Sequence, residues 1–207
     1  MTGEENASDA THEARQDVRM LDTSALKALA HPLRVRIYDI LSQFGPQTAS
    51  SLAEMTGESS GATSYHLRAL AKHDLIREVD DRGTARERWW ERPRGGISFT
   101  NPEAMKTPSG KAATQVVMRE FLNRRHDQLM RYVSEQLVTP ESLDESEAMI
   151  STTTLTLTAE QVEELTDALQ EVVETFVERY RDQEVDGTRR FSVRADVFPL
   201  PPEGGAS

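Results

Sequence analysis

Residues 25–76 read ALKALAHPLRVRIYDILSQFGPQTASSLAEMTGESSGATSYHLRALAKHDLI, and this stretch decides the fold of the first half of the chain. Its apolar residues recur at helical spacing, with breaks at His31-Pro32 and at Gly45-Pro46. A proline is tolerated in the first turn of a helix, whereas a glycine followed by a proline ends one. The pattern therefore predicts one helix before the first break and a second helix between the two breaks.

Two shorter helices are predicted after the second break. Thr48 can cap a third helix that ends near Gly57, and Ser59 or Ser60 can cap a fourth that runs to about His73. Two short helices joined by a tight turn that contains glycine form a helix-turn-helix. The sequence therefore predicts a helix-turn-helix made of the third and fourth helices.

The fourth helix has a buried face and a polar face. Helical spacing turns Thr63, Leu67, Leu70 and Ala71 inward. The opposite face carries small, hydroxylated or basic residues, namely Ser60, Gly61, Ser64, Tyr65 and Arg68. A helix that enters a DNA major groove needs a slim N-terminal end and donors that reach base edges. The alternative is that the glycine belongs to a turn and that the hydroxyls are ordinary caps.

A hairpin follows the fourth helix. The runs 75–79 and 86–90 are strand-like, and an Asp-Arg-Gly tip between them can supply a residue with positive φ. We expect this hairpin to be a wing beside the helix-turn-helix. Arg82, Thr84 and Arg86 are the wing residues predicted to contact DNA, with a solvated hairpin as the alternative.

Residues 22–92 resemble the winged-helix domain of ArsR-type bacterial transcriptional regulators. The resemblance rests on ALAHPLRVRIYDIL, TASSLAEMTG, SSGATSYHLRALAKHDLI and the hairpin after them. It implies a homodimer that reads the major groove of an operator with its fourth helix. By this resemblance six positions meet DNA, namely Ser60, Gly61, Ser64, Tyr65, His66 and Arg68. For His66 the alternative is packing at the helix edge, where it would donate only to a phosphate.

Metal sensing through thiolates, which many ArsR-type regulators use, is excluded because the chain contains no cysteine. The five histidines show no two-ligand spacing within one helix; they are His12, His31, His66, His73 and His126. We therefore expect no metal site and no cofactor, with a site shared between two protomers as the alternative. A small-molecule effector of unknown identity stays open.

The charge of the chain is unevenly distributed. The net charge is −11, but residues 22–95 hold 11 Lys and Arg against 10 Asp and Glu, a balance of +1. The acidity lies outside the predicted DNA reader. A balance of +1 is modest for a DNA-binding domain. The affinity for DNA should therefore depend on a local basic stripe and should fall steeply with salt. The same balance is the main argument for the alternative function, a winged-helix module that binds proteins.

Composition bounds the class of protein. With 207 residues, 37% hydrophobic and 29% charged, the chain suits one or two small domains. No apolar run is long enough to cross a membrane, and the acidic N-terminus lacks the apolar core of a signal peptide. We expect a cytoplasmic protein with no membrane partner. No phosphate loop, nucleophile elbow or ligand cluster indicates an enzyme.

A long helix is predicted over residues 109–138, and its apolar stretch of about 27 residues, from Lys111 to Leu137, would span roughly 40 Å. That length favours a dimerisation helix that packs on its mate, with folding back on its own winged domain as the alternative. The predicted dimer stripe consists of Val117, Phe121, Leu122, Leu129, Val133 and Leu137.

Residues 149–200 predict a small β-α-β module. Residues 149–157 and 190–198 alternate like strands, and a capping box at Thr158 and Gln161 opens a helix. The acidic outer face of this helix is interpreted as a solvated surface. Two strands and one helix bury little, so we expect the module to dock on the long helix or to pair with its copy.

The predicted fold class is mostly α with small β. Its parts are a disordered acidic tail over 1–20, a winged helix-turn-helix domain over 21–95, a linker over 96–108, the long dimerisation helix over 109–138, a linker over 139–148, the β-α-β module over 149–200 and a disordered tail over 201–207. The predicted function is a transcriptional regulator that binds a palindromic operator in double-stranded DNA as a homodimer.

Overall fold

The computed structural model describes residues 18–84, 87–136, 148–180, 183 and 185–201. The chain divides into two units, residues 1–147 and residues 148–207. The described part of the first unit contains, in order, β1 Val18–Met20, α1 Thr23–Leu29, α2 Pro32–Phe44, β2 Gln47–Thr48, α3 Ala49–Thr56, α4 Ser60–Ala71, β3 Arg77–Thr84, β4 Glu87–Glu91, β5 Gly96–Ser98, α5 Pro102–Met105 and α6 Pro108–Gln136. The second unit contains α7 Ala159–Tyr180. The predicted fold class is confirmed.

Helices α3 and α4 begin at the capping residues that the sequence predicts, and α2 begins at a cap that the sequence did not predict. The imidazole of His31 caps α2 by accepting from the amide of Leu33 at 3.2 Å. Thr48 forms a capping box at the start of α3, which ends at Gly57 in a left-handed conformation, φ 75°. Ser59 caps α4, and its hydroxyl oxygen accepts from the amide of Ala62 at 3.1 Å. These local signals fix the starts of α2, α3 and α4 and the end of α3.

The core of the first unit joins α1, α2, α3, α4 and α6. Its fully buried side chains are mostly leucine and isoleucine, and they include Leu26, Leu29, Ile37, Leu52, Leu67 and Leu70. Close packing of this kind holds each helix in one orientation. The outward face of α4 is therefore set by the residues beneath it.

The first strand of the wing is longer than predicted, and it runs through the expected tip. The second sheet has the order β2-β4-β3, β3 continues to Thr84, and Thr84 pairs with Glu87. The expected Asp-Arg-Gly tip is therefore corrected, because those residues lie within β3. A register shift between Glu78 and Gly83 accommodates the extra residues. Arg86 lies outside the described residues.

Two expected irregular segments contain regular structure. Residues 18–20, predicted as part of a disordered tail, form β1, which pairs in parallel with β5. The predicted linker 96–108 is likewise corrected, since it contains β5 and α5. Asn101 caps α5 and donates from its side-chain amide to the carbonyl of Leu21 at 3.0 Å. These strands have three residues each, and their pairing spans almost eighty residues of sequence, so no local pattern reveals them.

Helix α6 packs partly on its own domain. Val117 is fully buried, and the Phe121 ring lies 4.7 Å from Phe99 and 6.4 Å from Tyr38, centroid to centroid. The prediction that Val117 faces a partner is corrected, because this side chain is enclosed by its own chain. The remaining described stripe residues are more accessible; Leu122 and Leu129 are exposed and Val133 is half-buried. Leu137 lies outside the described residues.

The second unit contains the predicted helix but not the predicted strands. The capping box is present, since the amide of Gln161 donates to the Thr158 hydroxyl at 3.3 Å and its side chain accepts in return at 3.0 Å. Residues 148–158 and 185–201 form no strand, which corrects the β-α-β prediction. A strand needs a hydrogen-bonding neighbour, and the described single chain offers none there. No residue of α7 is buried.

Among the helices that the structure describes, none combines the length and apolar character needed to cross a membrane.

Candidate nucleic-acid interface

Helix α4 is fixed by a polar anchor as well as by apolar packing. Thr63 is fully buried, and its hydroxyl donates to the carbonyl of Ala49 on α3 at 2.8 Å. Leu67 and Leu70 are also fully buried, as predicted from helical spacing. A buried hydroxyl that is satisfied across two helices sets their mutual rotation. The helix-turn-helix therefore presents one defined face of α4 to solvent.

The solvent face of α4 is slim at its start and becomes larger and basic further along. Ser60, Gly61 and Arg68 are exposed, and Ser64 is half-buried. A Cβ added at Gly61 would meet nothing closer than the Ser59 hydroxyl at 3.9 Å, so packing of the protein itself does not require glycine there. Its absence of a side chain leaves room for a partner to approach the backbone.

Tyr65 is the large aromatic residue on this face, and 65% of it is exposed. Its ring lies edge-on to His66, with 5.2 Å between centroids. A tyrosine held against a neighbouring ring presents both apolar edge and hydroxyl to a partner. The predicted α4 set thus contains five outward or partly outward positions, namely Ser60, Gly61, Ser64, Tyr65 and Arg68.

His66 does not share that face. It is half-buried, its ring centroid lies 4.6 Å from that of His31, and its Nδ1 is buried without a hydrogen-bond partner. Burial lowers the pKa of His66, and the charges of His31 and Arg34 lower it further. This geometry favours packing at the helix edge, the alternative that the sequence leaves open.

Most described arginines around the helix-turn-helix are held by protein groups. Arg36 donates to the carbonyls of Met55 at 2.8 Å and Thr56 at 3.0 Å, which closes the end of α3. Arg77 pairs with Glu91 at 2.7 Å. Such contacts satisfy the guanidinium within the fold, so these side chains are structural.

Arg34 and Arg68 are exceptions. Within the described part of the first unit, neither guanidinium donates to an acceptor, pairs with a carboxylate or lies over an aromatic ring. Sequence reasoning included Arg68 in the interface but missed Arg34. No local signal marks Arg34, because its lack of a partner is a property of tertiary packing.

Arg82 on the wing is held in place by an aromatic ring. Its guanidinium carbon lies 3.9 Å from the centroid of the Trp89 ring, a cation–π contact that restricts the side chain while leaving it exposed. Thr84 ends β3 opposite Glu87. The structure thus places Arg82 and Thr84 on the wing and six predicted contact residues on α4, while Arg86 lies outside the described residues.

No set of three His, Asp or Glu side chains in the described ranges is arranged to hold a metal ion.

The family comparison agrees with this geometry. Residues 29–79 match the model of a family described as a helix-turn-helix domain. This match confirms the predicted helix-turn-helix, and it lies on the residues that carry the resemblance to ArsR-type regulators. No curated protein matches the chain by sequence.

Several solved structures are similar to the chain. A possible transcriptional regulator for arsenical resistance is 26% identical, with 52% of this chain and 93% of that one covered and a TM-score of 0.30. The adhesin competence repressor AdcR from Streptococcus pyogenes is 14% identical, with 82% and 94% covered and a TM-score of 0.31. A MepR-like protein complexed with pseudoligands is 18% identical, with 84% and 92% covered and a TM-score of 0.30.

Proposed function

We propose that this chain, which carries a helix-turn-helix domain over residues 29–79, is a transcription regulator that binds a palindromic operator as a homodimer. One observation carries the proposal. The buried Thr63 anchor turns the slim end of α4 and the unpaired Arg68 outward together. This is the arrangement that a major groove accommodates.

The chemistry of the outward face suits base reading. Ser64 and Arg68 stand one helical turn apart, so both reach toward the same few base pairs. An arginine with no protein acceptor is available for a bidentate contact with guanine, and a serine hydroxyl can donate or accept. Arg82 on the wing supplies a cation for the backbone further along the duplex.

The dimer proposal rests on the surface of α6. Leu122, Leu129 and Met130 are 37% to 48% exposed, although each is a large apolar side chain. A two-fold pair would bury such residues and would place two copies of α4 about one turn of DNA apart. The homodimer therefore explains both the exposed stripe and the need for two half-sites.

A protein-binding module is the second candidate function, and two observations favour it. The charge balance of residues 22–95 is only +1, and the apolar face of α7 is exposed. Salt dependence separates the candidates, since phosphate contacts release counterions whereas an apolar protein interface does not.

Selection of bound duplexes from a random pool with the purified full chain tests the proposal. We expect an enriched palindrome, bound more tightly than about 1 μM at physiological salt and much more weakly after scrambling. No enriched motif, or equal affinity for the scrambled duplex, would contradict it and favour the protein-binding module.

A further inference from the structure

Arg34 is a cation in a place that the fold alone disfavours. It stands in the first turn of α2, where the positive end of the helix dipole repels a positive charge, and no acidic residue accompanies it there. Its Nε is buried without an acceptor. Burial also lowers the pKa of Arg34, which shows that its surroundings oppose the charge. Two features of the structure, the helix dipole and burial without an acceptor, therefore penalise this guanidinium.

The side chain is nevertheless held in a defined place. The residue is half-buried, and only Nε among its nitrogens is both buried and unpartnered, so the two terminal nitrogens face solvent. Its charge contributes to lowering the pKa of His66 on α4. The guanidinium therefore lies near α4 and reaches solvent with its terminal nitrogens.

Arg36 shows what the same residue type does when its role is structural. Two positions further along α2, its terminal nitrogens donate to the carbonyls of Met55 and Thr56. Arg34 has no such acceptor in the described chain. An acceptor supplied by a partner would engage the solvent-facing terminal nitrogens and compensate the charge at the same time.

We propose that Arg34 binds a DNA phosphate beside the groove that α4 enters, and so acts as a positioning residue for α4. The inference rests on the proposed function. The ligand is a phosphate because an anion removes the dipole penalty and offers several acceptor oxygens to a guanidinium. The contact carries no base preference and sets how α4 lies in the groove.

Arg34→Gln tests the proposal on the operator that selection provides. We expect roughly tenfold weaker binding on operator and scrambled duplex alike, with the slope of log affinity against log salt reduced by about one per protomer. Thermal unfolding should show equal or higher stability of the variant without DNA, because a disfavoured charge is removed. A structural role would instead lower stability.

Three controls sharpen the result. Arg36→Gln should lower stability, since it removes two hydrogen bonds that close α3. Lys111→Gln removes an exposed charge from α6 and should leave both affinity and slope unchanged within about twofold. Arg34→Lys keeps the charge and should keep the salt slope. If Arg34→Gln fails to fold, the salt slope of Arg34→Lys and the phosphate scan described next test the proposal instead.

A scan of operator duplexes with single neutral methylphosphonate linkages locates the contact. Wild type should lose affinity at one phosphate per half-site where Arg34→Lys loses less. A uniform profile in both proteins would overturn the proposal, as would unchanged affinity and slope in a folded Arg34→Gln. If wild type selects no motif at all, the proposed function fails, and that outcome is distinct from a wild type that binds its operator without using Arg34.

Discussion

Arg124 on α6 donates from Nε at 3.0 Å and from Nη2 at 2.8 Å to one carboxylate oxygen, Oδ2, of Asp39 on α2. The other carboxylate oxygen accepts from the side chain of Gln43 at 2.8 Å. The two side chains of the ion pair are 25% and 14% exposed, so water screens the pair only in part. This contact joins the long helix to the winged domain at a point where the apolar stripe of α6 is interrupted.

Arg124→Ala should therefore lower the free energy of unfolding by about 1–2 kcal/mol, because it removes both donors that reach Oδ2 of a partly buried carboxylate. Urea denaturation measures the change. Arg131→Ala is the matched control, since this arginine is exposed on the same helix, and it should stay within about 0.5 kcal/mol of wild type. Equal effects of the two substitutions would contradict a specific role for the ion pair.

The dimer surface of α6 is tested at its exposed leucines. Leu122→Glu combined with Leu129→Glu should shift the protein from dimer to monomer, because two charges would enter an apolar interface, and sedimentation velocity at micromolar concentration reports the change. Both side chains are accessible, so the fold should survive. Val117→Glu would instead disrupt the core. A variant that remains dimeric would place the interface elsewhere, with the exposed face of α7 as the next region to examine.

Gly61→Ala separates the needs of the fold from the needs of binding. A methyl group there has open space within the protein, and alanine favours a helix over glycine by about 1 kcal/mol, so the variant should be as stable as wild type or more so. Its operator affinity should fall, since the methyl group projects where a phosphate backbone would approach. Unchanged affinity would show that the slim end of α4 has no role in binding.

Gly110→Ala is the contrasting control for that experiment. A Cβ at Gly110 would lie 2.0 Å from the carbonyl oxygen of Ala104, so this substitution should destabilise the junction of α5 and α6. Thermal unfolding with and without operator distinguishes the two glycines. One serves packing, and the other is expected to serve a partner.

The sequence predicts those parts of the structure that depend on nearby residues. The caps at Thr48 and Ser59 and the inward row of α4 are local, because a cap or a helical period is complete within a few residues. The strand pair β1–β5 joins segments that are far apart in sequence, and the length of β3 depends on a register shift. Neither feature produces a periodic pattern in the sequence from which it could be predicted.

Some residues of the candidate site could likewise be predicted from the sequence, and others could not. Arg68 could be predicted because its helical position alone turns it outward. Val117 could not be assigned correctly, since an apolar stripe does not reveal which of two surfaces covers it. Arg34 could not be found at all, because only the folded structure shows that its guanidinium lacks an acceptor while Arg36 has two.

The pH dependence of stability should carry a contribution from His66. Its lowered pKa means that the unfolded chain binds a proton first, so stability is highest above the ordinary histidine pKa of 6.5 and declines as the pH falls through it. Glu58 opposes the effects of burial, His31 and Arg34 but ranks below them. His66→Gln should therefore flatten the stability profile between about pH 7 and pH 5. His126→Gln, at an exposed position of α6, should retain the wild-type profile.

Replacement of Arg68 and of Arg82 by alanine should weaken DNA binding in different ways. Arg68 lies on the outward face of α4, so its loss should cost roughly 1–3 kcal/mol on the operator and relax preference at one position per half-site. Arg82 lies on the wing over Trp89, so its loss should weaken all duplexes alike and reduce the salt slope by about one for each protomer that uses it. Fluorescence anisotropy on operator and scrambled duplexes at several salt concentrations measures both effects.

Trp89→Leu extends the comparison to the residue that supports the wing arginine. Without the ring the guanidinium should lose its fixed position, so this variant should resemble Arg82→Ala in affinity, while its salt slope stays closer to wild type because the charge is retained. The sheet pairing of β4 with β2 and β3 runs through backbone groups and should persist, which circular dichroism checks. If Trp89→Leu binds as wild type does while Arg82→Ala does not, the cation–π contact has no part in binding. If neither arginine substitution changes affinity, α4 and the wing do not form the DNA interface.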